Sequence, residues 1–383
     1  MQSTFKLGRV AGVEIGINWT WLAVFALTAW TLADGVFPET NPGLGAGTYW
    51  TMGIVAALVF FVSILAHELG HAVQARREGM EIDGITLWLF GGVARFRGQF
   101  PSAGAEFRIA IAGPVVTLVL AGAFLAGALL GLPGAVDGVL AWLGFINLFV
   151  LAFNLLPALP LDGGRVLRAA LWQRRGDFVW ATRIAGAAGR GFGFFLIGIG
   201  IFMFIFQGQF SGAWLAFLGW FLLAAAEGEV RHSATTQALA GLRVEDLMVR
   251  DPATTDASAT VGAFMDHVVW PNRYTTYPVL HDGRVVGLLP FRCVAEVPRA
   301  EWDAHAVRDC MVPLADTVRL RATDDLVRAL ERLTEKGTGR AVVLDDDDRL
   351  VGLLSLSDLA RALQTPRPPR LEHRPGSNRS IRT

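Results

Sequence analysis

Residues 50–66 form an uncharged, largely apolar run, and directly after it the chain reads His67-Glu68-Leu69-Gly70-His71. The wider apolar segment, 50–75, is long enough to cross a membrane, since about 20 apolar residues span the hydrocarbon core. Ionisable side chains at bilayer depth cost roughly 2.5–3.5 kcal/mol each on insertion scales, so several together mark a functional site. His67 and His71 are four apart, share one helix face and can hold one metal ion. Glu68 stands beside them, suited to take a proton from a water molecule. The competing reading is a chance HExxH on a buried or surface helix; the membrane context argues against it.

Further apolar segments lie at 16–34, 107–131, 138–160, 191–206 and 211–227, giving six candidate spans. The fifth can begin earlier, near Phe178. The chain is 52% hydrophobic and 18% charged, as expected for a protein that is at least partly membrane-embedded. Its 34 basic and 34 acidic residues balance, so no overall basic field points to nucleic acid. Two cysteines, Cys293 and Cys310, are too few for a disulfide framework and lack metal-site spacing; they read as packing residues. The N-terminal region has no cleavage-site pattern of a signal peptide.

The loops predict an orientation. Segments 35–49, 132–137 and 207–210 carry no Lys or Arg. The alternate connections carry many, among them Lys6, Arg9, Arg76, Arg77, Arg95, Arg97, Arg165 and Arg168. The positive-inside rule then predicts a multi-pass protein of the cell membrane with both termini cytoplasmic. His67 and His71 fall toward the cytoplasmic end of the second span.

Two histidines do not complete a catalytic zinc site, which takes a third protein ligand and keeps an open position. The candidate is Asp162, in the run Asn154 to Gly164 that contains Pro157 and Pro160. The fourth span runs inward and delivers Asp162 to the level of the histidines. The prolines interrupt the helix, which is tolerated at this depth only where the backbone packs in protein or lines a cavity. The alternative is that Asp162 caps a helix starting at Gly163.

Together, His67-Glu68-Leu69-Gly70-His71, Ala112-Gly113-Pro114 and Asn154…Pro157…Leu161-Asp162-Gly163 resemble the site-2 proteases, intramembrane zinc metalloproteases of the M50 type. The resemblance covers roughly 50–165. It implies one Zn2+ held by His67, His71 and Asp162, Glu68 as general base, and cleavage of transmembrane protein substrates near the cytoplasmic face. Asn147 and Asn154 lie on the Asp-bearing span; Asn154 is a candidate oxyanion or substrate contact, Asn147 a helix bridge. Residues 85–96 read as a strand, a turn at Gly91-Gly92 and a second strand, whose edge could hold an extended substrate by β-augmentation. Gly189 and Gly193 read as close-packing positions in an apolar helix.

Beyond residue 232 the chain turns polar and repeats itself. Val244-Glu245-Asp246-Leu247-Met248 is echoed by Val307-Arg308-Asp309-Cys310-Met311, and Val285 to Leu289 by Leu350 to Leu354. The repeat resembles a tandem cystathionine-β-synthase (CBS) pair, which implies an adenine-nucleotide ligand and a homodimer. Its ribose-contacting pattern is met by Ser355 and Asp358; the first copy has Pro290 and Cys293 at those places. The alternative is that Ser355 and Asp358 cap the final helix. The expected architecture is multi-domain: a polytopic α-helical membrane domain of about six transmembrane helices (1–232), then an α/β tandem CBS pair (242–300 and 306–364) and a disordered Pro/Arg-rich tail (366–383). The expected function is intramembrane proteolysis regulated through the CBS pair. A transporter or channel using the same ionisable groups, and an inactive relative, are the alternatives. A transit site needs no Glu between two histidines, and an inactive relative would have a damaged motif.

Overall fold

The apolar runs become helices whose insides are lined with small residues and whose outsides are greasy. The computed structural model describes residues 5–10, 12–88, 91–96, 98–335 and 339–364, with backbone alone at 93–96 and 363–364. The expected tail, 366–383, lies outside the described residues. The chain divides into two compact units, Met1–Ala234 and Thr235–Thr383.

In the first unit, β1 (Phe5–Val10) and β2 (Val13–Ile17) precede α1 (Trp19–Thr31), which runs through a π-helical turn at Leu32–Val36 into α2 (Phe37–Thr40). Then come α3 (Ala46–Arg77), β3 (Ile82–Trp88), β4 (Gly91–Phe96), α4 (Ala103–Ala128), α5 (Gly134–Asn154), α6 (Asp162–Arg175), α7 (Phe178–Gln207) and α8 (Ser211–Leu239). Six helical stretches are long and apolar enough to cross a membrane: Trp19–Thr40, α3, α4, α5, α7 and α8. Side-chain caps fix their starts where the sequence offers them. Ser102 Oγ accepts from the Ala105 N–H, and Asp177 Oδ1 accepts from the Trp180 N–H.

Where lipid is the solvent, helices gain by close backbone approach, not by hiding Leu or Phe. The buried face of α7 accordingly reads Ala181, Ala185, Gly186, Gly189, Gly193 and Gly200, while Phe194, Phe195, Phe202 and Phe206 are exposed. Gly193 faces the Gly219 carbonyl and Gly200 faces the Gly212 carbonyl, so α7 and α8 meet backbone to backbone. Gly189 is the close-packing position the sequence suggested; a side chain there would overlap the Leu159 carbonyl.

The fourth apolar segment departs from expectation. Its helix, α5, stops at Asn154, and 155–161 is non-helical, because Pro157 and Pro160 cannot donate to a helical ladder. Asp162 does not end this span; it is the first residue of a separate helix, α6. The unwound backbone is partly satisfied by a neighbour: the Leu159 N–H donates to the Ala185 carbonyl of α7 at 3.2 Å.

The four strands form one sheet in the order β1-β2-β3-β4. The hairpins β1/β2 and β3/β4 are antiparallel, and β2 pairs with β3 in parallel across the intervening helices. Trp88 pairs with Gly91 and Leu87 with Gly92, so these two glycines belong to β4 and not to the turn. β4 is an edge strand.

The second unit contains β5 (Val249–Arg250), β6 (Thr255–Asp256), α9 (Val261–Phe264), α10 (Trp270–Asn272), β7 (Thr276–His281), β8 (Arg284–Pro290) and α11 (Phe291–Ala295) in its first half. The second half has α12 (Val307–Cys310), β9 (Val312–Pro313), β10 (Val318–Arg321), α13 (Leu326–Glu335), β11 (Arg340–Leu344), β12 (Leu350–Ser355) and α14 (Leu356–Gln364). The two sheets run β6-β7-β8-β9 and β10-β11-β12-β5. Each half therefore completes its sheet with the short strand that leads the other half. Gly287 lies against Met311 and the Val312 carbonyl, and Gly352 against Met248 and the Val249 carbonyl, the same contact twice. The cores follow: Leu239, Leu242 and Val244 pack with Val318, Leu326 and Leu354, while Val307 packs with Val261, Phe264 and Tyr277.

Candidate metal centre

His67 and His71 lie in the last third of α3, one turn apart and both buried. Asp162 opens α6 and carries no capping bond; the helix has Leu161 at its N-cap position. Its Oδ2 instead lies 3.1 Å from His67 Nε2 and 3.3 Å from His71 Nε2, and the two Nε2 atoms are 3.1 Å apart. These residues form a group of potential metal ligands whose donor atoms all lie within 4.8 Å of one another.

Hydrogen bonds behind the rings decide which nitrogens face the centre. His71 Nδ1 is 2.7 Å from the Ile109 carbonyl, which can only accept, so the proton sits on Nδ1. His67 Nδ1 is 2.8 Å from Thr117 Oγ1, and that hydroxyl donates to the Gly113 carbonyl at 3.3 Å, leaving its lone pair for His67. Both Nε2 atoms thus present lone pairs to each other and to a carboxylate oxygen. Among the described residues Asp162 Oδ2 has no hydrogen-bond donor. Three lone-pair donors facing one another at this spacing repel unless a cation stands between them. Zinc bonds of about 2.0–2.1 Å in a tetrahedron separate neighbouring ligand atoms by roughly 3.3 Å, close to the spacing observed.

The centre leaves no room for side chains behind it. A Cβ on Gly113 would collide with His71 Nε2 and with His67 Cε1, which explains the glycine before Pro114. On the other side, Gly163 and Gly164 let α6 begin directly against the carbonyls of Leu155, Leu156 and Ala158. Glu68 is half-buried, lies against Gly92 of β4, and its carboxylate has no hydrogen-bond or ion-pair partner among the described residues.

The comparisons with known proteins agree with this geometry. The model for peptidase family M50 matches residues 55–135 and 132–198, and that for the CBS domain matches 244–297 and 307–365. A protein of Mycobacterium tuberculosis named as zinc metalloprotease Rip3 is 39% identical over 368 residues, 95% of this chain and 93% of its own length. The chain belongs to peptidase family M50. It is a metalloprotease of the site-2 protease type, and its homologues imply Zn2+. A zinc metalloprotease of Methanocaldococcus jannaschii is 29% identical, with 95% of this chain and 97% of that one covered. A solved site-2 protease from the same organism aligns at 28% identity and a TM-score of 0.40, over 59% of this chain and 94% of that one. A CBS pair of a CNNM/CorC family Mg2+ transporter, in complex with ATP, aligns at 18% identity and a TM-score of 0.32, over 34% of this chain and 93% of that one. With six spanning helices, this M50 protease is a multi-pass membrane protein.

The other sequence candidates fare differently in the protease. Asn154 ends α5, and no hydrogen bond joins its side chain to the metal centre among the described residues. Asn147 donates to the Leu143 carbonyl of its own helix, and among the described residues it bridges no helices by hydrogen bond. Ser355 and Asp358 are engaged with each other at the start of α14. Ser355 Oγ donates to Asp358 Oδ2 at 2.6 Å, and the Asp358 N–H donates back to Ser355 Oγ at 3.3 Å. This is the capping alternative, and neither residue lines the cavity described next.

That cavity, of about 320 Å3, is lined by Thr275, Phe291 and Arg292 from the first CBS copy and Thr317 and Arg340 from the second. Arg340 donates to Thr275 Oγ1 at 2.6 Å. Burial and the neighbouring Arg292 lower the Arg340 pKa, against an opposing pull from Asp358. Sequence reasoning missed Thr117 and the Ile109 carbonyl. A lone hydroxyl one turn beyond Gly113 in an apolar span was the available signal for the first; a backbone carbonyl leaves none.

Proposed function

We propose that the chain cuts peptide bonds within transmembrane segments of membrane-protein substrates, near the cytoplasmic face, with His67, His71 and Asp162 holding one Zn2+. The observation that carries this is the convergence of two Nε2 lone pairs and one carboxylate oxygen on a single point. Zinc in that position supplies Lewis-acid polarisation of the scissile carbonyl and acidifies water. Glu68, without a polar partner among the described residues and beside the histidines, takes the proton from the attacking water and delivers it to the leaving amide nitrogen. The edge of β4 passes Glu68 at Gly92, so a chain added to that edge would run past the general base in extended form. A peptide bond inside a helix is shielded, and extension exposes it.

The Lys/Arg asymmetry of the loops supports cytoplasmic termini and a cytoplasmic CBS pair. The CBS cavity, with two arginines and threonine hydroxyls, supports a phosphate-bearing nucleotide as regulator. In this reading the CBS pair also joins two chains as a homodimer. The test of the centre is the zinc content of detergent-purified protein beside His67→Ala and Asp162→Ala. About one zinc per wild-type chain, lost from both variants, is the expected result. Zinc indifferent to Asp162 would remove that residue from the ligand set.

A further inference from the structure

We propose that Arg168 and Glu106 are positioning residues of the metal centre: their buried ion pair sets where the Asp162 carboxylate stands relative to the two imidazoles. This rests on the reading of His67, His71 and Asp162 as ligands.

The seven residues before Asp162, 155–161, are non-helical, so no continuous helix carries its position over from α5. Gly163 and Gly164 seat the first turn of α6 against that segment, and the body of α6 sets the height and rotation of the helix. Six residues along that helix, Arg168 is 1% exposed, and Glu106 of α4 is fully buried. Arg168 Nε donates to Glu106 Oε1 at 2.6 Å, and Nη2 is 2.5 Å from the same oxygen. Nη1 donates to Glu229 Oε1 of α8 at 2.8 Å. The guanidinium plane lies over the Phe178 ring at 4.9 Å and the Phe100 ring at 5.8 Å. Nε and Nη1 are committed to two carboxylates, and the guanidinium carbon to two rings.

Glu106 lies one turn before Ile109, whose carbonyl orients His71. The contacts therefore close a loop: Asp162, α6, Arg168, Glu106, one turn of α4, Ile109, His71, and back to Asp162. Every link is a helix or a short polar contact. On its other side α4 is joined to the end of α3 by Arg108, which donates from Nε and Nη2 to the two oxygens of Glu78, each at 2.7 Å. α4 thus ties the histidine-bearing helix to the aspartate-bearing helix. Apolar residues of the same volume commonly stabilise a fold as well as a buried ion pair does, so fold stability alone does not account for this one. A lysine has no fork and cannot hold both carboxylates in the same geometry.

The test uses the full-length protein in detergent. The paired neutral variant Glu106→Gln/Arg168→Met, the single variant Arg168→Lys and Asp162→Ala are compared with wild type. Three properties are measured: unfolding temperature without metal, zinc affinity by chelator competition, and the visible spectrum after cobalt(II) replacement, which reports the ligand geometry. The expected result is an unfolding temperature near wild type for the paired variant. Its zinc affinity falls about 10–100-fold and its cobalt bands change, as for other groups that orient metal ligands. Arg168→Lys is expected to recover part of the loss. An unchanged affinity and cobalt spectrum in a folded paired variant overturns the proposal. If the paired variant does not fold, Arg168→Lys decides: wild-type affinity and spectrum overturn the proposal, a weakened site supports it. Asp162→Ala separates the two levels. Zinc retained there overturns the ligand reading itself, whereas zinc lost there but kept in the Arg168 variants overturns only the positioning role.

Discussion

At the scale of single residues, the candidate metal centre is held by what stands behind His67 and His71. Thr117→Val keeps the shape of the side chain and removes the hydroxyl that receives His67 Nδ1–H. Zinc affinity is expected to fall about 10–100-fold with the fold intact, measurable by chelator competition. Gly113→Ala places a methyl group where the imidazoles lie, so it is expected to abolish stoichiometric zinc binding. Wild-type zinc content in that variant would show that α3 and α4 can separate at no cost. Glu68→Gln is nearly isosteric and leaves the side chains of His67, His71 and Asp162 in place. It is expected to retain one zinc and lose peptidase activity by a factor of about 10² or more in a proteoliposome cleavage assay. The HExxH motif was legible in the sequence because its chemistry is local: four residues on one helix guarantee one face. Asp162 was legible as the third-ligand candidate, because the fourth span delivers it to the level of the histidines; its approach to the two Nε2 atoms is a tertiary contact that the sequence does not encode locally. Asn154, Ser355 and Asp358 have the right residue types, yet backbone position and a local cap decide their contacts.

At the scale of elements, the six spans were readable from apolar length, since a membrane leaves helices few alternatives. The break of the fourth span at Pro157 and Pro160 was readable too, but the residue at which its helix stops was not. Apolar character continues to Leu161, but the prolines stop the helix at Asn154 and the chain unwinds against α7. The place of Gly91 and Gly92 was also hidden, because hairpin register depends on turn length and a shift of one or two residues moves a turn glycine into a strand. The edge strand gives a prediction of its own. Ala94→Pro removes one backbone N–H from β4 and blocks a ladder along it. Cleavage is expected to drop with zinc content unchanged, read in one preparation by metal analysis and proteolysis. Undiminished cleavage would take β4 out of substrate binding. α6 begins with Gly163 and Gly164 because any side chain there would overlap the carbonyls of the unwound segment. Gly163→Ala is therefore expected to destabilise the protein by about 1–3 kcal/mol and to weaken zinc, seen together as a lowered unfolding temperature and a lower zinc affinity.

At the scale of the whole molecule, the duplication was plain in the sequence but its wiring was not. Echoed motifs reveal that there are two copies; they do not reveal which copy a strand completes, since pairing is long-range. The CBS pair offers a cavity with Arg292 and Arg340. Isothermal titration with ATP and with AMP is expected to show binding that Arg340→Met weakens at least 10-fold, in keeping with the loss of a charge-assisted contact. Equal affinity in the variant would move the ligand elsewhere.

The exchanged leader strands have a consequence for how this half of the protein arose and how it can be altered. A single copy would lack the strand and the core residues that its sibling provides, and would have to borrow them from another molecule. Two identical short chains doing so reciprocally would make the same interlocked object, so the present arrangement has the form of a symmetric pair joined in one polypeptide. Deleting either copy removes a strand from the other copy's sheet. A chain ending after the first copy would offer a vacant seat for a foreign leader, and its natural occupant is the leader of another truncated molecule.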